Sequence, residues 1–334
     1  MKYIVITILM LTSIICFGQD PQFSRFYSNS LYLAPSFAGI TGNNRISMSY
    51  RNQWTSISTG YETYSVSLDH YFSKLNSGVG VLILRDEAGT ANLANTNMGL
   101  LYSFDFKLTN QINVRPGINL SYAERSIDFD RLLWMDQISA VGDAPTSAEP
   151  LSKEKAADID FASSVLVYHE SFWGGLSVDH LLRPNQSLYY EEFNENNYAK
   201  IPLKYQVFGG YKYVVQERLL RPIPTILQCA FLYKQQEEFK QLDVGFYWYY
   251  SPMVLGIWYR GIPVIGQAKT NDAVILLAGI KTRQWNIGYS YDFTTSKLFI
   301  SSGGSHEISL AYTFSKTDKS NKKRTHKMIP CPEF

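Results

Sequence analysis

Few residues in this chain combine types and spacings that could carry chemistry. Asp158 and Asp160 stand two apart, so an extended strand puts both carboxyls on one face, where a pair could share acid–base work or hold calcium. Ile159 and Phe161 point the other way, which favours a polar face lining an interior over a reactive pair. His169-Glu170 lacks the second histidine, four residues on, that a zinc site on a helix would need. Asp179-His180 pairs a carboxylate with an imidazole, but no serine or cysteine partner can be assigned, so both are expected to anchor a loop. Among the remaining cysteines, Cys229 falls inside a predicted strand and Cys331 near the end, and two separate thiols are expected. The chain has no Gly-x-Ser-x-Gly elbow, phosphate-binding glycine loop or Cys-x-x-Cys. No catalytic residue, cofactor or metal is assigned, and a hydrolase such as a lipase or protease ranks below binding and transport functions.

The elements that would position these residues follow from the first residues onward. Lys2, then an apolar run from Tyr3 to Phe17, then Gly18, reads as a secretory signal over 1–18, cut after Gly18. Cys16 leaves a lipoprotein signal as an alternative, although Ile15 stands where such signals carry a small residue. After the signal no stretch reaches the roughly 18 apolar residues of a spanning helix, so membrane entry would have to be by strands. Aromatic residues are 15% of the chain, with 24 Tyr and 19 Phe, while charged residues are 18%. That mixture suits amphipathic strands with interfacial aromatic belts. The net charge of +2 carries no nucleic-acid footprint.

Period-two alternation recurs along the chain. In 285–294, Trp285, Ile287, Tyr289, Tyr291 and Phe293 share one face, while Asn286, Gly288, Ser290, Asp292 and Thr294 share the other. Segments of this kind occur at 45–54, 62–72, 77–86, 94–107, 110–125, 156–169, 171–182, 201–214, 223–235, 238–249, 251–261, 271–282, 285–295 and 305–315. Many reach the roughly 9 to 11 residues a tilted strand needs to cross a bilayer. Fourteen is even, as closed bacterial barrels require, and connections after even-numbered segments are mostly short while 126–155 and 183–200 are long. Two connections depart from this parity, a short one at 236–237 and a longer one at 215–222. The expectation is an all-β, transmembrane antiparallel β-barrel of about fourteen strands over 45–315. A segment over 19–44, periplasmic or lumenal, precedes it, and a basic periplasmic tail over 316–334 follows. The lumen is expected to be plugged by loops or by the N-terminal segment, since Phe23, Phe26 and Tyr27 make that segment too aromatic for a linker. Arg51, Gln53, Arg115, Asp158 and Asp160 should form a polar network inside the barrel. Leu132, Leu133, Trp134 and Met135 form an apolar cluster in the longest loop, which either folds over the barrel mouth or anchors a partner.

Four motifs resemble the PorP/SprF family of the Bacteroidetes type IX secretion system. They are the start from Gln19-Asp20-Pro21-Gln22-Phe23 to Tyr27, with Leu33, Pro35, Ala38 and Gly39 behind it; Tyr50-Arg51-Asn52-Gln53-Trp54; Asp128-Phe129-Asp130 through Asp136-Gln137-Ile138; and Asp179-His180-Leu181 with Pro184-Asn185-Gln186-Ser187. The closing Cys331-Pro332-Glu333-Phe334 is similar to the family's short terminal pattern. The resemblance implies an integral outer-membrane protein, exported by a cleaved signal, with the lipid bilayer as one partner and no nucleic acid. It implies further partners in a secreted cargo such as a large surface adhesin, and in periplasmic or outer-membrane components of secretion and gliding. Candidate partner contacts are Phe23, Phe26, Tyr27, Leu132, Leu133, Trp134, Met135, His180, Cys331 and Phe334. A diffusion channel or small-molecule transporter is the alternative to a docking barrel, because about fourteen strands enclose room for a ligand if nothing fills it.

Overall fold

The structure, a computed structural model, describes residues 20–57, 60–132, 134, 137, 154–188, 199–216, 225–262, 270–295 and 303–314. The expected signal, the basic tail with Cys331 and Phe334, and Leu133 and Met135 of the long loop lie outside them.

The described strands are β1 (Asn44–Gln53), β2 (Tyr61–Phe72), β3 (Ser77–Ala88), β4 (Leu93–Phe104), β5 (Phe106–Lys107), β6 (Asn113–Ser126), β7 (Lys155–Tyr168), β8 (Phe172–Asp179), β9 (Lys204–Gln216), β10 (Thr225–Gln236), β11 (Phe239–Tyr250), β12 (Met253–Ile262), β13 (Thr270–Lys281), β14 (Trp285–Thr294) and β15 (Ser305–Phe314). Each pairs antiparallel with its neighbours, and β1 pairs with β15 from Asn44↔Phe314 to Gln53↔Ser305, which closes the sheet. The two-residue β5 continues the edge of β4 along β6 after a break at Asp105, so the wall holds fourteen strands. Closure leaves no unpaired sheet edge, the condition for extended backbone to survive in hydrocarbon.

Burial along the strands is the reverse of a soluble protein's. In β2, Ser65 and Asp69 are 3% and 1% exposed, whereas Val66 and Leu68 between them are 44% and 47% exposed. A two-layer stack in water would bury the valine and leucine; a barrel in lipid turns them outward and buries the polar residues around its axis. β14 follows its expected faces, with Ser290 and Asp292 inward and Trp285, Ile287 and Tyr289 outward.

Strand ends differ from the sequence expectation where backbone chemistry intervenes. The segment expected over 171–182 ends at Asp179, because His180 and Arg183 take positive φ values of 62° and 50° and turn the chain. The short 237–238 connection is a two-residue hairpin with Glu237 at φ 50°.

The inner face departs from expectation more substantially. Polar residues line it at β1, β2, β14 and β15, but from β7 to β13 the inward positions include Leu166, Trp173, Phe208, Leu232, Tyr247, Trp258 and Ile275, all nearly fully buried. A wall half polar and half aromatic is not what a water-filled pore presents.

Candidate functional site

Residues 20–43 occupy the lumen and touch both kinds of wall. They contain one helical turn, α1 (Ser30–Leu33), and a 3₁₀ turn at Pro35–Phe37. Asp20 lies at the end of the barrel that carries the long connections, beside His180 after β8, Lys204 at the start of β9 and Gln236 at the end of β10. The segment leaves at the opposite end, where Asn44 begins β1.

At the Asp20 end, Lys204 Nζ donates to Asp20 at 2.6 Å and His180 Nε2 donates to the same oxygen at 2.9 Å. His180 Nδ1 faces Asp160 at 2.6 Å, and Lys204 also meets Asp179 at 3.0 Å. An imidazole with a carboxylate at each nitrogen donates from both only as the cation. Burial alone would push the His180 pKa down; the Asp20 charge, with hydrogen bonds to Asp160 and Asp20, overcomes it and holds the group up at about 10. Burial likewise favours the neutral acid of Asp20, but His180 and Lys204 hold it well below the usual carboxylate range. A cavity of about 20 Å³, room for about one water, lies here between Asp20, Tyr32, Lys204 and Lys234.

One turn further on, Ser24 and Arg25 are gripped by side chains from four strands. Glu307 accepts the backbone N–H of Ser24 at 2.6 Å and of Arg25 at 3.2 Å. Arg51 pairs with Asp292 at 2.9 Å and with Glu307 at 3.5 Å, and Arg260 pairs with Asp292 at 3.1 Å. The Ser24 hydroxyl donates to Asp292, and the Arg25 guanidinium reaches Ser309. Each buried carboxylate therefore has charged or N–H partners, without which desolvation would cost several kcal/mol.

The middle of the segment packs on the aromatic wall. Phe26 meets Trp258 edge-on with ring centroids 4.9 Å apart, Tyr27 meets Trp173 at 4.8 Å, and Phe37 meets Phe208 at 5.5 Å. Burying Phe26 and Phe37 contributes roughly 1.5–3 kcal/mol each.

At the far end the backbone is again clasped. Ser36 N–H donates to Ser164 at 2.8 Å, and Gly39 N–H donates to Asp69 at 2.8 Å. The Ala38 carbonyl accepts from Ser103 at 2.8 Å and from Arg115. Asp69 also pairs with Arg45 at 2.9 Å. Gly117 of β6 faces Pro35 and Ser36 so closely that a Cβ there would collide with their backbone.

Of the residues expected from sequence, Arg51, Arg115, Asp160 and His180 converge on this segment, and Gln53 is half-buried 3.4 Å from Arg51. Asp158 lies further toward the rim, exposed, and accepts the Asn185 N–H at 2.9 Å. Phe23, Phe26 and Tyr27 are buried inside and present no outer surface in this state. Leu132 and Trp134 are half-buried, Trp134 against Phe129 with centroids 6.0 Å apart. Sequence reasoning missed Lys204, Arg260, Trp173, Trp258 and Phe208 as lumen residues; the signal available was an aromatic or basic residue interrupting the alternation of its strand.

A family model described as "Type IX secretion system membrane protein PorP/SprF" matches residues 15–312. The chain belongs to the PorP/SprF family. As a member of that family it is a type IX secretion membrane protein, and with its closed barrel it is placed in the outer membrane. No curated protein matches it. Solved structures similar to this PorP/SprF chain include the CymD monoaromatic hydrocarbon channel (TM-score 0.47, 10% identity, covering 86% of this chain and 93% of that one). Others are Omp33 of Acinetobacter baumannii (0.45, 8%, covering 81% and 98%) and the P. putida toluene transporter TodX (0.44, 6%, covering 85% and 93%).

Proposed function

We propose that this PorP/SprF barrel is a filled docking protein. It holds a secreted cargo, such as a large surface adhesin, at the outer membrane and connects it to periplasmic secretion or gliding components, without catalysis. The observation that carries this reading is the occupied lumen: the segment over 20–43 is bonded to the wall at both ends and packed against aromatic rings between them. A rigid, filled cylinder presents fixed loops to a partner and needs no continuous water path for that role. Docking energy would then come from loop anchors such as Trp134 and from exposed rims rather than from bond chemistry.

Affinity purification from the native membrane tests the reading, with identification of co-purifying chains and single-channel recording on the same preparation. A secreted surface protein or a type IX component co-purifying with a non-conducting barrel is the expected result. Steady ion flow from the intact protein, with no such companion, would replace docking with transport.

A further inference from the structure

Asn44 begins β1 and Phe314 ends β15 at the same end of the barrel, paired with each other. The brief connections at 73–76, 169–171, 251–252 and 282–284 lie at that end, and the long ones at 127–154 and 180–203 lie at the other. Short turns face the periplasm and long loops the exterior in bacterial barrels. A chain entering β1 from the periplasm would ordinarily keep everything before β1 there too.

The contacts run the other way. Ala38 and Gly39 meet Ser103 near the end of β4, Arg115 near the start of β6 and Asp69 of β2, all toward the short-turn end. Ser24 and Arg25 meet Arg51, Asp292 and Glu307 toward the long-loop end. Asp20 lies furthest out, tied to His180, Lys204 and Gln236 where β8, β9 and β10 meet the long-loop end. We propose that the chain threads its own barrel from outside to inside, so that Asp20, next to the expected mature start at Gln19, stands at the outer mouth and the mature N-terminus opens on the cell exterior beside the long-loop end.

Cysteine accessibility tests the direction in a chain carrying Cys229→Ala and Cys331→Ser, with heat-modifiable gel migration confirming the folded barrel. Pro21→Cys and Thr41→Cys, both half-buried at opposite ends of the segment, are treated with a membrane-impermeant maleimide on intact cells and on cells with a permeabilised outer membrane. Pro21→Cys should react equally in both, and Thr41→Cys only after permeabilisation. If Pro21→Cys is silent in both, a peptide epitope inserted between Gln19 and Asp20 decides. Antibody binding to intact cells supports the proposal. Reaction of Pro21→Cys, or of the epitope, only after permeabilisation overturns it, whether or not the barrel docks a cargo.

Discussion

Replacing Glu307 with alanine should loosen the lumenal segment. The carboxylate is fully buried and accepts two backbone N–H groups, of Ser24 and Arg25, besides pairing with Arg51. Each buried N–H left without an acceptor costs roughly 1–3 kcal/mol, and removing one partner of a buried ion pair about 3–5 kcal/mol. These losses share the same atoms and do not add, and Arg51 keeps Asp292 at 2.9 Å. The expected destabilisation is therefore about 3–5 kcal/mol for Glu307→Ala. Glu307→Gln keeps one acceptor oxygen and should cost less, about 1–3 kcal/mol. Guanidinium unfolding of the purified protein, followed by tryptophan fluorescence, measures the total. Trypsin adds a local readout, because Arg25 is 1% exposed and is cut only if the segment leaves the lumen. A Glu307→Ala protein with unchanged midpoint and an uncut Arg25 would show that the carboxylate does not hold the segment.

The outer latch should respond to pH in a defined direction. His180 is raised to about 10 from an unfolded value near 6.5, so its stabilisation is complete below about pH 6.5 and is lost as pH rises through about 10. Asp20 is lowered, so its contribution is present above the unfolded carboxylate range and falls away in acid; His180→Asn should remove the alkaline loss when protease protection of the segment is followed against pH. Leu100, 63% exposed on β4, faces lipid, and Leu100→Arg should cost roughly 2–4 kcal/mol in vesicle-folded protein, whereas no cost would place that face away from hydrocarbon. Gly117→Val should keep the barrel, judged by heat-modifiable migration, while exposing Arg25 to trypsin, since the new side chain meets Pro35 and Ser36. Continued protection of Arg25 in that variant would separate Gly117 from the segment's path.

The sequence by itself determined the barrel. Alternation with period two, strand lengths near ten residues and the parity of short and long gaps are local properties, written in consecutive residues, and lipid outside leaves the large apolar face only one direction to point. Arg51, Arg115 and Asp160 could be turned inward on the same ground. Family motifs pointed to the secretion system because short strings of residue types can be matched without any geometry.

The sequence leaves the segment over 19–44 open between periplasm and lumen, and the contacts of its described residues 20–43 with the wall belong to the tertiary structure alone. The contacts that fix it join residues more than 200 positions apart, such as Ser24 with Glu307 and Asp20 with Gln236. The aromatic wall that receives Phe26, Tyr27 and Phe37 is assembled from single inward residues on separate strands, Trp173, Phe208 and Trp258 among them. Along each strand such a residue merely blurs the alternation. Only when the sheet closes do these positions stand around one axis, and only then does the preceding chain have a surface to bury against.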